Sequence, residues 1–177
     1  MTELCGEKVR LRALEPEDAD LLLAWENDSR HWPISGTLHP YSRASLQAYL
    51  QRDEQDWYRN RQLRLMVVER SEEQSIGTID LFDFEPRHSR AAVGLLIAQP
   101  EARGRGMAAE ALRLLSAYAF AWLGLHQLYA HVPLLNAPSR WVFTQNAFRE
   151  SGTLTDWWWN GQAYCDVCVY QKMRTEK

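Results

Sequence analysis

Residues 93–108, VGLLIAQPEARGRGMA, constrain this chain more than any other stretch. A strand-length apolar run meets Pro100 and then Arg103-Gly104-Arg105-Gly106. Immediately afterwards Ala108, Ala111, Leu112, Leu115, Ala119 and Trp122 recur at helical spacing. A strand passing through a glycine turn into a helix gathers the N–H groups of residues 103–108 at a helix start, a place suited to phosphate. Gly104 and Gly106 lack a Cβ, so a pyrophosphate can come close to the main chain. Arg103 and Arg105 add positive charge. Without further context the same string also reads as a tight, solvated strand-to-helix turn.

The flanking sequence reads as one α/β domain over residues 1–177. Residues 9–14 alternate apolar and basic side chains and predict a strand with one wet face. Pro16 and the acidic Glu17, Asp18 and Asp20 open a short amphipathic helix marked by Ala19, Leu22, Leu23 and Glu26. Residues 31–40 hold two prolines and a glycine and predict a loop. Ser42 is the expected N-cap of a second helix, with Leu46, Tyr49, Leu50, Asp53 and Trp57 on one face. Strands are predicted at 63–70 and 75–84. A third, at 90–98, is apolar enough for a central strand buried on both faces. After the glycine turn and its helix come a strand at 126–132 and a helix at 137–146. Strands at 148–157 and 163–172 flank Asn160-Gly161, a strong hairpin signal.

Composition removes several classes of function. No apolar run approaches the roughly 18 residues of a membrane helix, so no membrane role is expected. The net charge is −3, and the arginines are dispersed along the chain. Nucleic acid would call for a basic face, so none is expected as a partner. Three cysteines fit a reducing compartment, and a cytoplasmic enzyme is the expectation. Cys165 and Cys168 form a C-x-x-C string, but within a strand positions three apart point to opposite faces. No disulfide or metal site is expected there.

Together with Asn136, Ser139, Phe143, Ala147 and Phe148 downstream, the glycine turn resembles the GNAT superfamily of N-acetyltransferases. Its loop reads (Q/R)-x-x-G-x-(G/A), and here Glu101 takes the first position while Gly104 and Gly106 match. Val9-Arg10-Leu11-Arg12 and the Trp158, Asn160, Gly161 hairpin are similar to its ribosomal-protein N-terminal and spermidine acetyltransferase branch. The resemblance implies a mixed, twisted sheet of about seven strands flanked by about four helices, with two splayed parallel strands holding acetyl-CoA. It implies that main-chain groups of Leu96, Ile97 and Ala98 pair with the pantetheine arm. An N–H near Leu96 would face the thioester oxygen. By the same resemblance Arg103, Gly104, Arg105, Gly106, Met107 and Ala108 cradle the pyrophosphate, while Asn136, Ser139 and Phe143 lie along the cofactor.

Two positions depart from the family pattern. Ala92 stands where a glutamate base is common, and Phe143 where a tyrosine acid is common. A thiol of pKa about 8.5 leaves tolerably without an acid. The missing base matters more, because an alkylamine of pKa about 10.4 is neutral in roughly 1 of 2,500 molecules at pH 7. An α-amine of pKa about 7.8 is neutral in roughly 1 of 7. Asp80 is the candidate replacement base. Asp80 and Asp83 align by resemblance with acidic positions of spermidine acetyltransferases, and Glu26, Asp28, Trp32 and His88 are further candidates for a cationic substrate. The same acids also read as solvated or arginine-paired, and His126 and His131 read as structural. The function implied is acetyl transfer by direct attack of a primary amine, either a polyamine such as spermidine or a peptide N-terminus. A non-catalytic acetyl-CoA-binding regulator is the alternative. The tryptophans at 157–159 favour a homodimer contact.

Overall fold

The computed structural model describes residues 4–51 and 56–175. Seven strands form one sheet in the order β1-β2-β3-β4-β5-β7-β6. They are β1 (Val9–Ala13), β2 (Leu63–Glu69), β3 (Gln74–Glu85), β4 (Arg90–Ile97), β5 (Gln127–Pro133), β6 (Arg149–Trp159) and β7 (Tyr164–Met173). The helices are α1 (Ala19–Glu26), α2 (Trp32–Ser35), α3 (Arg43–Leu50), α4 (Trp57–Asn60), α5 (Met107–Ala121) and α6 (Ala137–Gln145). Every neighbouring strand pair is antiparallel except β4 and β5.

The two faces of the sheet are covered by different helices, and strand alternation decides which residue goes where. Leu11, Leu65, Val67, Ile79, Val93, Ile97, Leu128 and Ala130 pack with Ala111, Leu112 and Leu115 of α5 in the main core. Met66, Val68 and Ala98 face the other way and meet Leu22 and Trp25 of α1 and Leu46 of α3. The α1–α3 layer packs on β2 through Met66 and Val68 and on the end of β4 through Leu96 and Ala98.

Several expectations are corrected. The predicted loop at 31–40 contains the single turn α2, with Pro33 near its start and Gly36 in the left-handed region after it. Ser42 does cap α3, its Oγ accepting from the Ser45 N–H at 3.0 Å, but the helix ends at Leu50 and Trp57 opens the separate α4. Asp53, expected on the face of that helix, lies outside the described residues. The hairpin expected at Asn160-Gly161 is present, with β6 and β7 antiparallel and joined by residues 160–163. Asn160 Oδ1 accepts from the Gln162 and Ala163 N–H groups and shapes that loop. Cys168 is buried and Cys165 half-buried, and neither is in a disulfide.

The start of α5 is tied to the start of β1 by a carboxylate. Glu110 accepts from three successive N–H groups, Glu7 at 3.0 Å, Lys8 at 2.7 Å and Val9 at 2.8 Å. Burial alone would raise its pKa, but these bonds hold it below the usual carboxylate value. A carboxylate with a depressed folded pKa stabilises fully above its unfolded value of about 4.3, and that contribution is lost as pH falls through the folded value. Glu110→Gln is therefore expected to cost about 2 kcal/mol at pH 7. In urea unfolding the gap from wild type should narrow as pH falls below about 4. A gap unchanged down to pH 2 would show that charge is not the source.

Candidate active site

β4 and β5 pair only where Arg90, Ala91 and Ala92 meet Gln127, Leu128 and Tyr129. Beyond Ala92 the two strands diverge. β4 continues to pair with β3, and β5 with β7, so each presents one unpaired edge to the gap. The gap opens into a cavity of about 580 Å³. Its walls come from Leu95, Leu96, Ile97 and Ala98 of β4 and its end, from Arg103, Gly104, Gly106 and Ala108 of the glycine turn, and from Asn136 and Ser139 of α6. Arg30, His31 and Ile34 close it from the α1–α2 side.

Strand parity fixes which main-chain groups face the gap. The Ala98 N–H donates to Ile76 O of the β3 segment at 2.9 Å, and N–H directions alternate along a strand. Leu96 therefore also points its N–H and C=O at β3, where it is opposite Thr78. The N–H groups of Leu95 and Ile97 point into the gap instead. The open backbone positions are thus Leu95 and Ile97, a correction to the expectation of Leu96 and Ala98. Half-burial of Gly94, Leu95 and Leu96 likewise replaces the expected strand buried on both faces.

The glycine turn has the geometry its composition suggests. Gly104 has φ 72° and Gly106 φ 81°, and no atom lies within 4 Å of where a Gly104 Cβ would stand. The space beside Gly104, at the N-terminus of a helix, suits an anionic group. The side chains of the turn are committed elsewhere. Arg105 Nη2 donates to the buried Glu69 at 2.8 Å, so its guanidinium does not line the cavity. Lys8 Nζ donates to Arg105 O at 2.9 Å and brings positive charge beside Gly106. Arg103 does line the cavity, with Nε donating to Ile97 O at 2.9 Å and Nη2 3.2 Å from His31 Nε2. His31 Nδ1 lies 3.3 Å from Trp25 O, so the ring is held between that carbonyl and the Arg103 guanidinium. His31, Lys8 and Glu69 were invisible to sequence reasoning, because their partners are far away in the chain.

Other predicted residues fall outside the cavity. Met107 and Phe143 are buried core residues, Phe143 against the rings of Phe148 and Tyr170 at 5.0 and 6.0 Å. Asn136 and Ser139 do reach it, with Asn136 Oδ1 capping α6 by accepting from the Ser139 N–H. His88 is exposed in a turn after β3.

The predicted acids differ sharply in their surroundings. Asp80, opposite Gly94, accepts from Arg64 Nε at 2.5 Å, and Arg64 Nη1 reaches Glu26 at 2.8 Å. One half-buried guanidinium thus pairs with two carboxylates, and the trio keeps a net negative charge. Burial alone would lower the Arg64 pKa, but Asp80 and Glu26 raise it, so the cation is permanent. Glu26 O also receives Trp32 Nε1 at 2.9 Å. Asp28 is held well below the usual carboxylate range by hydrogen bonds from Arg30. Asp83 makes no hydrogen bond or ion pair among the described residues. It bulges from β3 with φ 49°, near Tyr129 and His131.

The sequence matches the family described as acetyltransferase (GNAT) domain over residues 8–149. The chain belongs to the GNAT acetyltransferase family. It is therefore an acetyl-CoA-dependent N-acetyltransferase. It is 31% identical to a spermidine N(1)-acetyltransferase of Vibrio cholerae over 104 residues, which span 59% of this chain and 60% of that enzyme. The spermidine N(1)-acetyltransferase of Escherichia coli K12 is 27% identical over 94% of this chain and 88% of its own. A crystal structure of spermidine N-acetyltransferase from Vibrio cholerae in complex with CoA and spermine superposes with TM-score 0.84. The two share 25% identity, over 96% of this chain and 97% of that one.

Proposed function

We propose that acetyl-CoA lies in the gap between β4 and β5 and that a primary amine of the polyamine type attacks its acetyl group from the sheet face carrying Gly94 and Tyr129. The observation that carries this reading is the cavity itself, with an open strand edge on one wall and a helix start with an empty glycine cradle at one end. Acetyl-CoA supplies a thioester carbonyl, whose C–S bond breaks as the new C–N bond forms.

The chain's own contribution is positioning. The Leu95 and Ile97 N–H groups are oriented to pair with the pantetheine arm as an added strand would. An N–H of that edge is available to an oxyanion. The main chain of Arg103, Gly104, Gly106 and Ala108 suits the pyrophosphate, with Lys8 adding charge. Asn136 and Ser139 stand along the arm. Arg103 holds the end of β4 through Ile97 O and is itself held by His31.

The polyamine class is supported by the spermidine acetyltransferases among the relatives and by the free Asp83 on the acceptor face. One observation favours a second reading, a peptide α-amine. Ala92 offers no base and Asp80 is tied to Arg64, which suits an acceptor that is already partly neutral. The exposed rings of Trp159 and Tyr164, 5.1 Å apart at the hairpin, support the homodimer expectation. Comparing kcat/KM for spermidine, spermine, lysine, short peptides and an aminosugar decides among the acceptors. A polyamine is expected to lead by at least about tenfold, since the free carboxylate pairs with a second ammonium. Preference for peptides would transfer the reading to α-amines.

A further inference from the structure

The α1–α3 layer meets β4 at Leu96 and, just after the strand, at Ala98, and no β5 residue belongs to that cluster among the described residues. Leu128, Ala130 and Val132 of β5 are buried against the helices of the main core, so Tyr129 and His131 must point to the opposite face. Ala92 pairs with Tyr129, which places Ala92, Gly94, Tyr129 and His131 on one face, across the line where the strands part. His131 is exposed and lies on β5 two residues beyond Tyr129, past the last β4–β5 pair. Its ring makes edge contacts with Tyr129 at 5.6 Å and Trp157 at 6.3 Å. Neither ring nitrogen is hydrogen-bonded among the described residues, and Asp83 acts on the ring from the β3 bulge.

On this geometry, and resting on the acetyl-transfer reading above, we propose that His131 is the base that deprotonates the acceptor amine. Its position supplies what Ala92 and the Arg64-bound Asp80 do not, a proton acceptor on the sheet face where β4 and β5 part, with no hydrogen-bond partner among the described residues. The incoming ammonium gives one proton to an imidazole nitrogen. The nitrogen lone pair thereby freed forms the C–N bond to the thioester carbon, and the C–S bond breaks with its electron pair on the thiolate. The second amine proton and the imidazolium proton leave to the thiolate and to water, which restores neutral His131. No oxidant or further reactant is needed.

The surroundings suit the task. Partial burial between the rings lowers the His131 pKa, and Asp83 opposes that shift without cancelling it, so the ring is largely neutral at pH 7. Tyr129 beside it is raised by burial and by Asp83, with Arg90 opposing, and remains a neutral phenol. Among the described residues Asp83 and Tyr129 are the titratable groups facing His131. Arg90 lies on the same face and acts on Tyr129, while Asp80 and Glu26 are paired to Arg64. Asp83 has a second use here, as a counter-charge for the imidazolium formed after proton transfer.

His131→Ala and His131→Gln test this, because an exposed ring can be replaced without emptying the core. With spermidine at pH 7, kcat/KM should fall about 100-fold in both variants. Melting temperature and acetyl-CoA affinity should match wild type. The deficit should close towards pH 10, where the alkylamine deprotonates itself, and should be smaller with a peptide α-amine. A readout free of turnover is the His131 imidazole signal in NMR, which should shift when spermidine is added without acetyl-CoA. Wild-type activity of either variant at pH 7, or an imidazole signal indifferent to spermidine, would overturn the assignment. Should wild type acetylate no amine at all, the acceptor reading itself fails, and the assignment to His131 goes with it.

Discussion

A Gly104→Asp protein is expected to fold as wild type does and to lose acetyl-CoA affinity by on the order of 100-fold. The structure separates these two effects. Nothing lies within 4 Å of a Cβ at Gly104 apart from its chain neighbours, so the side chain starts in open space, and aspartate tolerates φ 72° better than most residues. The empty space belongs to the cavity, next to the first N–H groups of α5, where partial positive charge gathers. A carboxylate there satisfies those donors itself and repels a pyrophosphate. Gly104→Ala is the control. It adds volume and the same positive-φ strain without charge, and should weaken binding only about tenfold. Calorimetric titration of acetyl-CoA into both variants reads the difference. Equal, wild-type affinities would remove the pyrophosphate from this turn.

Gly77→Ala is expected to damage the fold rather than the ligand site. Gly77 lies on β3 opposite Ile97, and a Cβ there would overlap the Leu96 carbonyl oxygen and come within 3.0 Å of Ile97 Cα. These are main-chain atoms of the central strand and cannot rotate away. Either the β3–β4 ladder shifts, opening the wall of the cavity, or the overlap persists as strain. A loss of about 3 kcal/mol or more is expected. That is a fall in melting temperature of roughly 6–12 °C for a domain of this size. An unperturbed melting curve would mean that β3 and β4 are not in this register.

Gly77 and Gly104 also mark how much of the molecule was legible beforehand. Gly104 sits in a strand–turn–helix string whose meaning is local. Alternation, a breaker and helical spacing suffice to predict the turn, and positive φ at Gly104 and Gly106 follows from residue type. Gly77 stands in an ordinary strand pattern, and its need for a missing Cβ arises only from the register with β4. The exchange of Leu96 for Leu95 and Ile97 has the same origin. Strand periodicity shows that alternate groups face the gap, but only pairing with β3 decides which set.

Charge partners were the least legible part. The predicted acids are on the right elements, yet Asp80 meets Arg64 from 16 residues away and Glu26 meets it from 38. In an arginine-rich chain, no spacing rule says which guanidinium will arrive. His31 reaches Arg103 across 72 positions, and Glu110 accepts from Lys8 across 102. These contacts exist only after the sheet has brought β1, β4 and α1 to one end of the molecule. Phe143, expected along the cofactor, is a buried core residue. Its burial with Phe148 and Tyr170 was not foreseen, because helical spacing shows an apolar face without showing which cluster receives it.

The most direct test of the cofactor site is residue-resolved amide hydrogen exchange with and without acetyl-CoA. Before ligand is added, Leu96 should exchange slowly through its pairing with β3, while Leu95 and Ile97 exchange faster at their unpaired edge. Acetyl-CoA should then protect Leu95, Ile97 and the turn amides from Gly104 to Ala108, and leave Leu96 little changed. Binding of acetyl-CoA with no new protection at Leu95 and Ile97 would place the cofactor outside the β4–β5 gap and contradict the account.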